Sequence, residues 1–434
     1  MTESTEHSTS AGGPARSAPD APAWQAGRSA AGGRVGVQGD GVIHEIRWSD
    51  ALPWWLLFRA AGAAFSPAVV MLAALGALST WAGWSVADRI GLADGRLVAT
   101  AADLVSTSSV LGGDRGDTLL ATAGPVRLAT DIVRNPLEGW DVGVAAVWAW
   151  LPEPAADLVR LLSVPLSPSA TFAQMLGTSV RLAWFVAVWS IFGTAIARQV
   201  ALRLAGEEAP GLTGGLWFGS KKWLSAFNSA AFVLLGLSVL CIPGAGLGLL
   251  MRSDIGLAVA GAIWPLVLIG GIVLAILAIG VVAGWPLMVG GVGVERGDSF
   301  QAISTAFSYL YQRPLHYIFY LLVALAVSLP ALAAAHLFAT ATSNLTLWAA
   351  SLGMGHDRTT EVLSGLQGLA SGNSVPWGIK ALGFWIRGLE AVLGSFGWGY
   401  FWAISTAAYL LLRRDVDGTE LDEVVIDELP GDSE

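Results

Sequence analysis

Residues 255–294 and 315–355 contain no Asp, Glu, Lys or Arg. A helix on the surface of a water-soluble domain needs one polar face, so an uncharged run of this length reads as a membrane span. The fold class expected is all-α, a polytopic transmembrane helical bundle of about six spans. Composition agrees: the chain is 54% hydrophobic and 13% charged, against about 25% charged for an average soluble domain.

Spans are expected at about 67–87, 180–202, 225–250, 257–289, 315–340 and 390–412. The remaining chain divides around them. Residues 1–50 are rich in Ala, Gly, Ser and Pro; they bury too little apolar surface to offset ordering entropy and are expected to be a disordered tail. Segment 51–87 joins an interfacial helix to span one. Segment 88–177 carries prolines at 125, 136, 152, 154, 165 and 168 and is read as an extramembrane loop domain of short helices. A four-span core follows at 178–342, a second extramembrane loop at 343–389, span six at 390–413 and an acidic tail at 414–434.

The net charge of −9 resides in that tail. Residues 415–434 hold nine acids and no base, and the rest of the chain is neutral. No basic patch for nucleic acid exists, so none is expected as a partner. Basic residues elsewhere set the orientation. Arg47, Arg59, Arg198, Arg203, Lys221, Lys222, Arg296, Arg313, Arg413 and Arg414 fall on one side of the expected spans, and the short opposite loop holds Arg252. Positive residues stay on the cytoplasmic side, so both termini are expected there, in a multi-pass plasma (inner) membrane protein.

Trp54 and Trp55 near Arg59, and the pairs Trp264-Pro265 and Trp285-Pro286, read as interfacial anchors. The last two are separated by roughly 32 Å of helix, close to the hydrocarbon thickness. Gly280 and Gly284 form a small-xxx-small pattern expected to line a close helix–helix contact. Spans two and four are each followed by acid, an aromatic stretch and then base with aromatic: Lys221-Lys222-Trp223 in one case, Arg313-Pro314 with Tyr317 in the other. Proline lies well inside the next span both times, at 243 and 330. The order suggests a weak parallel repeat of two hairpins, each with an amphipathic cytoplasmic elbow; the alternative is that any such loop passes from acidic to basic.

Little reactive chemistry is legible. Cys241 is the single cysteine, excludes an internal disulfide and is expected to be buried. The five histidines are too scattered for a helical metal pair. Gly219-Ser220-Lys221 reverses the order a phosphate loop needs and precedes a membrane helix. Gly244 to Gly248 lacks dinucleotide spacing. Asn344-Leu-Thr346 is a glycosylation sequon, relevant only in a secretory pathway. No acid lies in the middle of a span, which weighs against proton- or sodium-coupled transport. His316 reads as interfacial and His336 as near the outer end. No cofactor, metal or catalytic group is expected.

Several stretches carry a family resemblance: Phe58-Arg59 through Phe65-Ser66-Pro67; Trp189 to Gly193 with Arg198; Ala283-Gly-Trp-Pro-Leu-Met-Val289; Phe307-Ser-Tyr309 and Gln312-Arg313-Pro314; and Leu411 through Arg413-Arg414 to Glu423. Together they resemble a family of bacterial multi-span membrane proteins to which no activity is assigned. The resemblance implies topology and no mechanism. The function expected is a non-enzymatic membrane component that meets the lipid bilayer and binds a protein partner through its loops and acidic tail. The alternative is a transporter or permease for a neutral or lipid-like substrate, with a membrane enzyme third.

Overall fold

The computed structural model describes residues 52–89, 161, 171–366, 376–421 and 423–424. The tail 1–50 and nearly all of the loop domain expected at 88–177 lie outside them. Among the described residues all regular structure is helical. A 3-10 turn, Pro53–Trp55, leads into α1 (Leu56–Ala64) and α2 (Pro67–Arg89). Then come α3 (Phe172–Ala205), α4 (Gly211–Leu250), α5 (Asp254–Glu295), α6 (Ser299–Gln312), α7 (Pro314–Met354), α8 (His356–Leu366), α9 (Trp377–Gly394) and α10 (Phe396–Asp417).

Local chemistry sets the helix ends. Thr171 opens α3 with a capping box: its hydroxyl accepts from Gln174 N–H, and the Gln174 side chain accepts from Thr171 N–H. Gly206 closes α3 in the left-handed region at φ +85°. Ser253 caps α5 and Asp298 caps α6 through their side-chain oxygens. Arg296 ends α5 at φ +60°, the non-glycine residue with positive φ among those described. Pro314 supplies the first residue of α7.

Among the described residues five helices are long and apolar enough to cross a membrane: Pro67–Ala87, Ala173–Ala205, Gly211–Leu250, Asp254–Glu295 and Pro314–Met354. They make this a multi-pass α-helical membrane protein. The three longest run past the expected spans. α4, α5 and α7 have 40, 42 and 41 residues, roughly 60 Å each and about twice the hydrocarbon thickness. Pro243, Pro265, Pro286 and Pro330 lie inside them without ending them.

Three expectations change. The segment 343–389 is not a loop where it is described, because α7 continues to Met354 and α8 and α9 follow. The elbow before span three is not separate, because nothing between Gly211 and Lys222 breaks the helix and it runs into α4. Only the second elbow is a helix of its own, α6, because Arg313 leaves helical geometry at ψ 53° and Pro314 follows. The repeat is therefore matched in order but not in form. Third, the helix expected as span six, α10, lacks the apolar content of the other five. It lies at the bundle centre, against α1, α2, α3, α5 and α7. A helix surrounded by protein needs shape more than hydropathy, and α10 is accordingly rich in Trp, Tyr, Gly and Ala.

That centre is aromatic and filled. Trp189 of α3 stacks on Trp398 of α10 at 4.4 Å between ring centroids and lies 5.9 Å from Trp402. Trp285 of α5 meets Trp402 edge-on at 5.4 Å, and Phe185 joins at 5.9 Å from Trp285. α1 seals one side with Leu56, Leu57, Ala60 and Ala64. Its Arg59 donates to the Leu204 carbonyl at 3.0 Å, satisfying an open carbonyl at the end of α3.

Candidate functional site

The described chain ends meet at one end of the bundle. Pro53 and Trp54 share a cleft with Leu315 and Tyr320, and the Tyr320 hydroxyl donates to Asp415 at 2.6 Å. Polar side chains collect here. Glu295, the last residue of α5, accepts from the Tyr409 hydroxyl at 2.5 Å and from Gln301 Nε2 at 2.9 Å, and lies 3.3 Å from Arg413 Nε. The Tyr309 hydroxyl of α6 donates to Asp417, and its ring packs 5.5 Å from that of Tyr409. Burial, then the bond to the Asp417 carboxylate, push the Tyr309 phenol above its usual value, so it remains a donor. Tyrosines thus tie α10 to α5, α6 and α7 through carboxylates.

Cations surround this cluster. Arg198 is 2% exposed, donates to the Gly293 carbonyl at 3.4 Å and stands 5.2 Å from the Phe218 ring centre. Arg296 approaches the same ring at 5.9 Å. Lys222 donates to the Arg296 carbonyl at 2.5 Å, and Lys221 lies 3.7 Å over the Trp217 ring. The start of the acidic tail is attached: Val424 is buried, Leu421 packs against the core, and Arg413 donates to the Glu423 carbonyl at 2.7 Å.

The residues singled out from the sequence divide. Trp223 is half-buried against Phe227, Tyr317 is buried and donates to the Ala283 carbonyl at 2.8 Å, and Arg313 and Pro314 are exposed. Lys221 packs on Trp217 of its own elbow and Lys222 on the Arg296 carbonyl at the end of α5, rather than on the described part of the tail. Trp55 is exposed and stacked on Phe58 at 4.8 Å, Trp54 is half-buried, and Trp264 is exposed. Trp285 is not a lipid-facing anchor: at 2% exposure it belongs to the aromatic centre. A Cβ on Gly280 would strike the Phe307 ring of α6, so that glycine does admit a neighbour. A Cβ on Gly284 would meet only the Met288 methyl of its own helix, at 3.5 Å. The Cβ direction of Gly284 therefore meets no neighbouring helix. Cys241 is exposed rather than buried.

The sequence reading missed Tyr309, Tyr409 and Glu295, and it counted Asp415 and Asp417 as tail. The signal was present: Tyr409, Arg413 and Asp417 recur every four residues, on one face of a helix. Among the described residues no three of His, Cys, Asp and Glu gather closely enough to hold a metal ion.

No family model matches this chain, and neither a curated protein nor a solved structure is similar enough to match it. The five apolar helices, not a relative, define its class.

Proposed function

We infer that the protein is a non-enzymatic component of a plasma membrane, with both termini cytoplasmic, that holds a protein partner at its charged end. The carrying observation is the attachment of the tail: Leu421 and Val424 sit against the bundle and Arg413 grips Glu423. The acids that follow therefore start from a fixed point instead of drifting from the last helix. The filled aromatic centre supports the same reading, since a solute path would have to open it. Arg59, Arg198, Lys222, Arg296 and Arg413 gather at this end by their contacts, which agrees with a cytoplasmic face.

Two measurements on the full chain test this. The first replaces Asp427, Glu428, Asp432 and Glu434 by their amides and follows site-specific crosslinking from position 430 in cells. A discrete crosslinked protein lost in the amide variant, at unchanged membrane level, is the expected result. The second is solute flux in liposomes. Permeation of a neutral solute well above protein-free vesicles would overturn the reading in favour of a permease.

A further inference from the structure

An open cleft of 330 Å³ separates the Pro53–Trp55 turn from the start of α7, lined by Pro53, Trp54, Leu315, His316, Phe319 and Tyr320. Its walls are apolar and aromatic apart from the His316 imidazole and the Tyr320 hydroxyl, and the latter is already donated to Asp415. Two guanidinium groups flank it in the chain. Arg313 directly precedes α7 and is exposed, and Arg414 is the neighbour of Asp415. The first turn of α7 has no side-chain cap, so its leading N–H groups add positive character at the mouth. Away from the mouth, Leu315, Ile318, Phe319 and Leu322 lie three and four residues apart and are all exposed. They form an apolar track along a helix that carries no charge from 315 to 354.

We propose that this cleft binds one anionic phospholipid, its phosphate at Arg313 and His316 and an acyl chain along Leu315, Phe319 and Leu322. Charge and shape favour this occupant together. A free phosphate would leave the track uncovered, and a zwitterionic lipid would gain less from the basic mouth. Among the described residues Asp415 is the acid bonded to a residue of the cleft, and Tyr320 engages it through Oδ2. Trp54 closes the opposite wall with the amphipathic ring suited to headgroup depth.

The test is native mass spectrometry of the full chain in mild detergent, titrated with phosphatidylglycerol and phosphatidylcholine of identical acyl chains. One phosphatidylglycerol is expected to be retained in preference to phosphatidylcholine. Arg313→Gln with His316→Gln should lower its retention at least about fivefold, the scale of one surface basic residue. Leu315→Trp fills the cleft from a position 78% exposed and should abolish retention without changing charge or thermal midpoint. If the double variant loses stability, Leu315→Trp decides alone. Equal retention of both lipids would overturn the proposal. So would a preference that survives Leu315→Trp and disappears in Lys221→Gln with Lys222→Gln, which would place the lipid at the elbow.

Discussion

α5 belongs to two environments. Its residues from Gly284 to Val294 are all buried, between α3, α6 and α10. Its first half is largely exposed, with Ile255, Leu266 and Ile272 at 81%, 68% and 60%. Between Asp254 and Glu295 neither half carries a charge, so hydropathy cannot tell them apart. The glycines can. A Cβ on Gly193 would come 2.9 Å from the Trp402 ring, one on Gly293 2.7 Å from Ala197, and one on Gly219 would strike the Ile191 carbonyl. Gly236, Gly244, Gly246, Gly248, Gly261, Gly270 and Gly271 of the distal halves of α4 and α5 face nothing within 4 Å. Glycines whose Cβ position is already occupied, with the buried aromatics, mark contact between helices here, and exposed branched aliphatics mark the surface left for lipid.

The largest effect expected from this contrast is at Trp402, which is fully buried. Trp402→Ala should cost about 3–5 kcal/mol, read as a collapse of the thermal midpoint in detergent. Trp264→Ala, at an exposed position, is the comparison, and equal losses would erase the distinction. Next comes Gly219→Leu, which must push against the Ile191 backbone and should cost about 1–3 kcal/mol. The same change at Gly270 should stay within about 0.5 kcal/mol. Glu295→Gln keeps an acceptor for Tyr409 but loses its charge opposite Arg413. With side-chain exposures of 17% and 13%, a loss of about 1.5 kcal/mol is expected, measured by the same melt. The smallest effect is at Gly284. Since a Cβ there finds only its own Met288, Gly284→Ala should be neutral or stabilising by up to about 1 kcal/mol, and a clear destabilisation would mean that a neighbouring helix does approach this glycine.

The membrane class was legible because the uncharged runs 255–294 and 315–355 leave a helix no polar face to turn toward water. Helix type at 67–87, 180–202, 225–250, 257–289 and 315–340 followed from the apolar runs in the same way. Their lengths did not, because charge marks where a helix meets water but not where it stops; α7 runs past Ser343 until Gly355 at φ +77°. Trp285 misled because a Trp-Pro pair suits both a membrane belt and a packed centre, and only the neighbours on α3 and α10 decide. The tyrosine–carboxylate cluster was hidden for a related reason. The spacing of Tyr409, Arg413 and Asp417 marks one face of α10, but Glu295 and Tyr409 are 114 residues apart, and that spacing does not say which helix end the face will meet.

Val424 has one consequence for the physics of this end. With the chain pinned there, Asp427 and Glu428 lie three and four residues beyond the pivot and can stray at most about 14 Å. Their local concentration around the neighbouring guanidinium groups is then set by a short leash, on the order of millimolar or higher, however sparse the protein is in its membrane. An anion arriving from solution would meet that leash as a competitor for the same guanidinium groups. Because about 14 Å exceeds the screening length of about 8 Å at physiological salt, that competition should weaken as ionic strength rises, together with the anion's own attraction to the guanidinium groups.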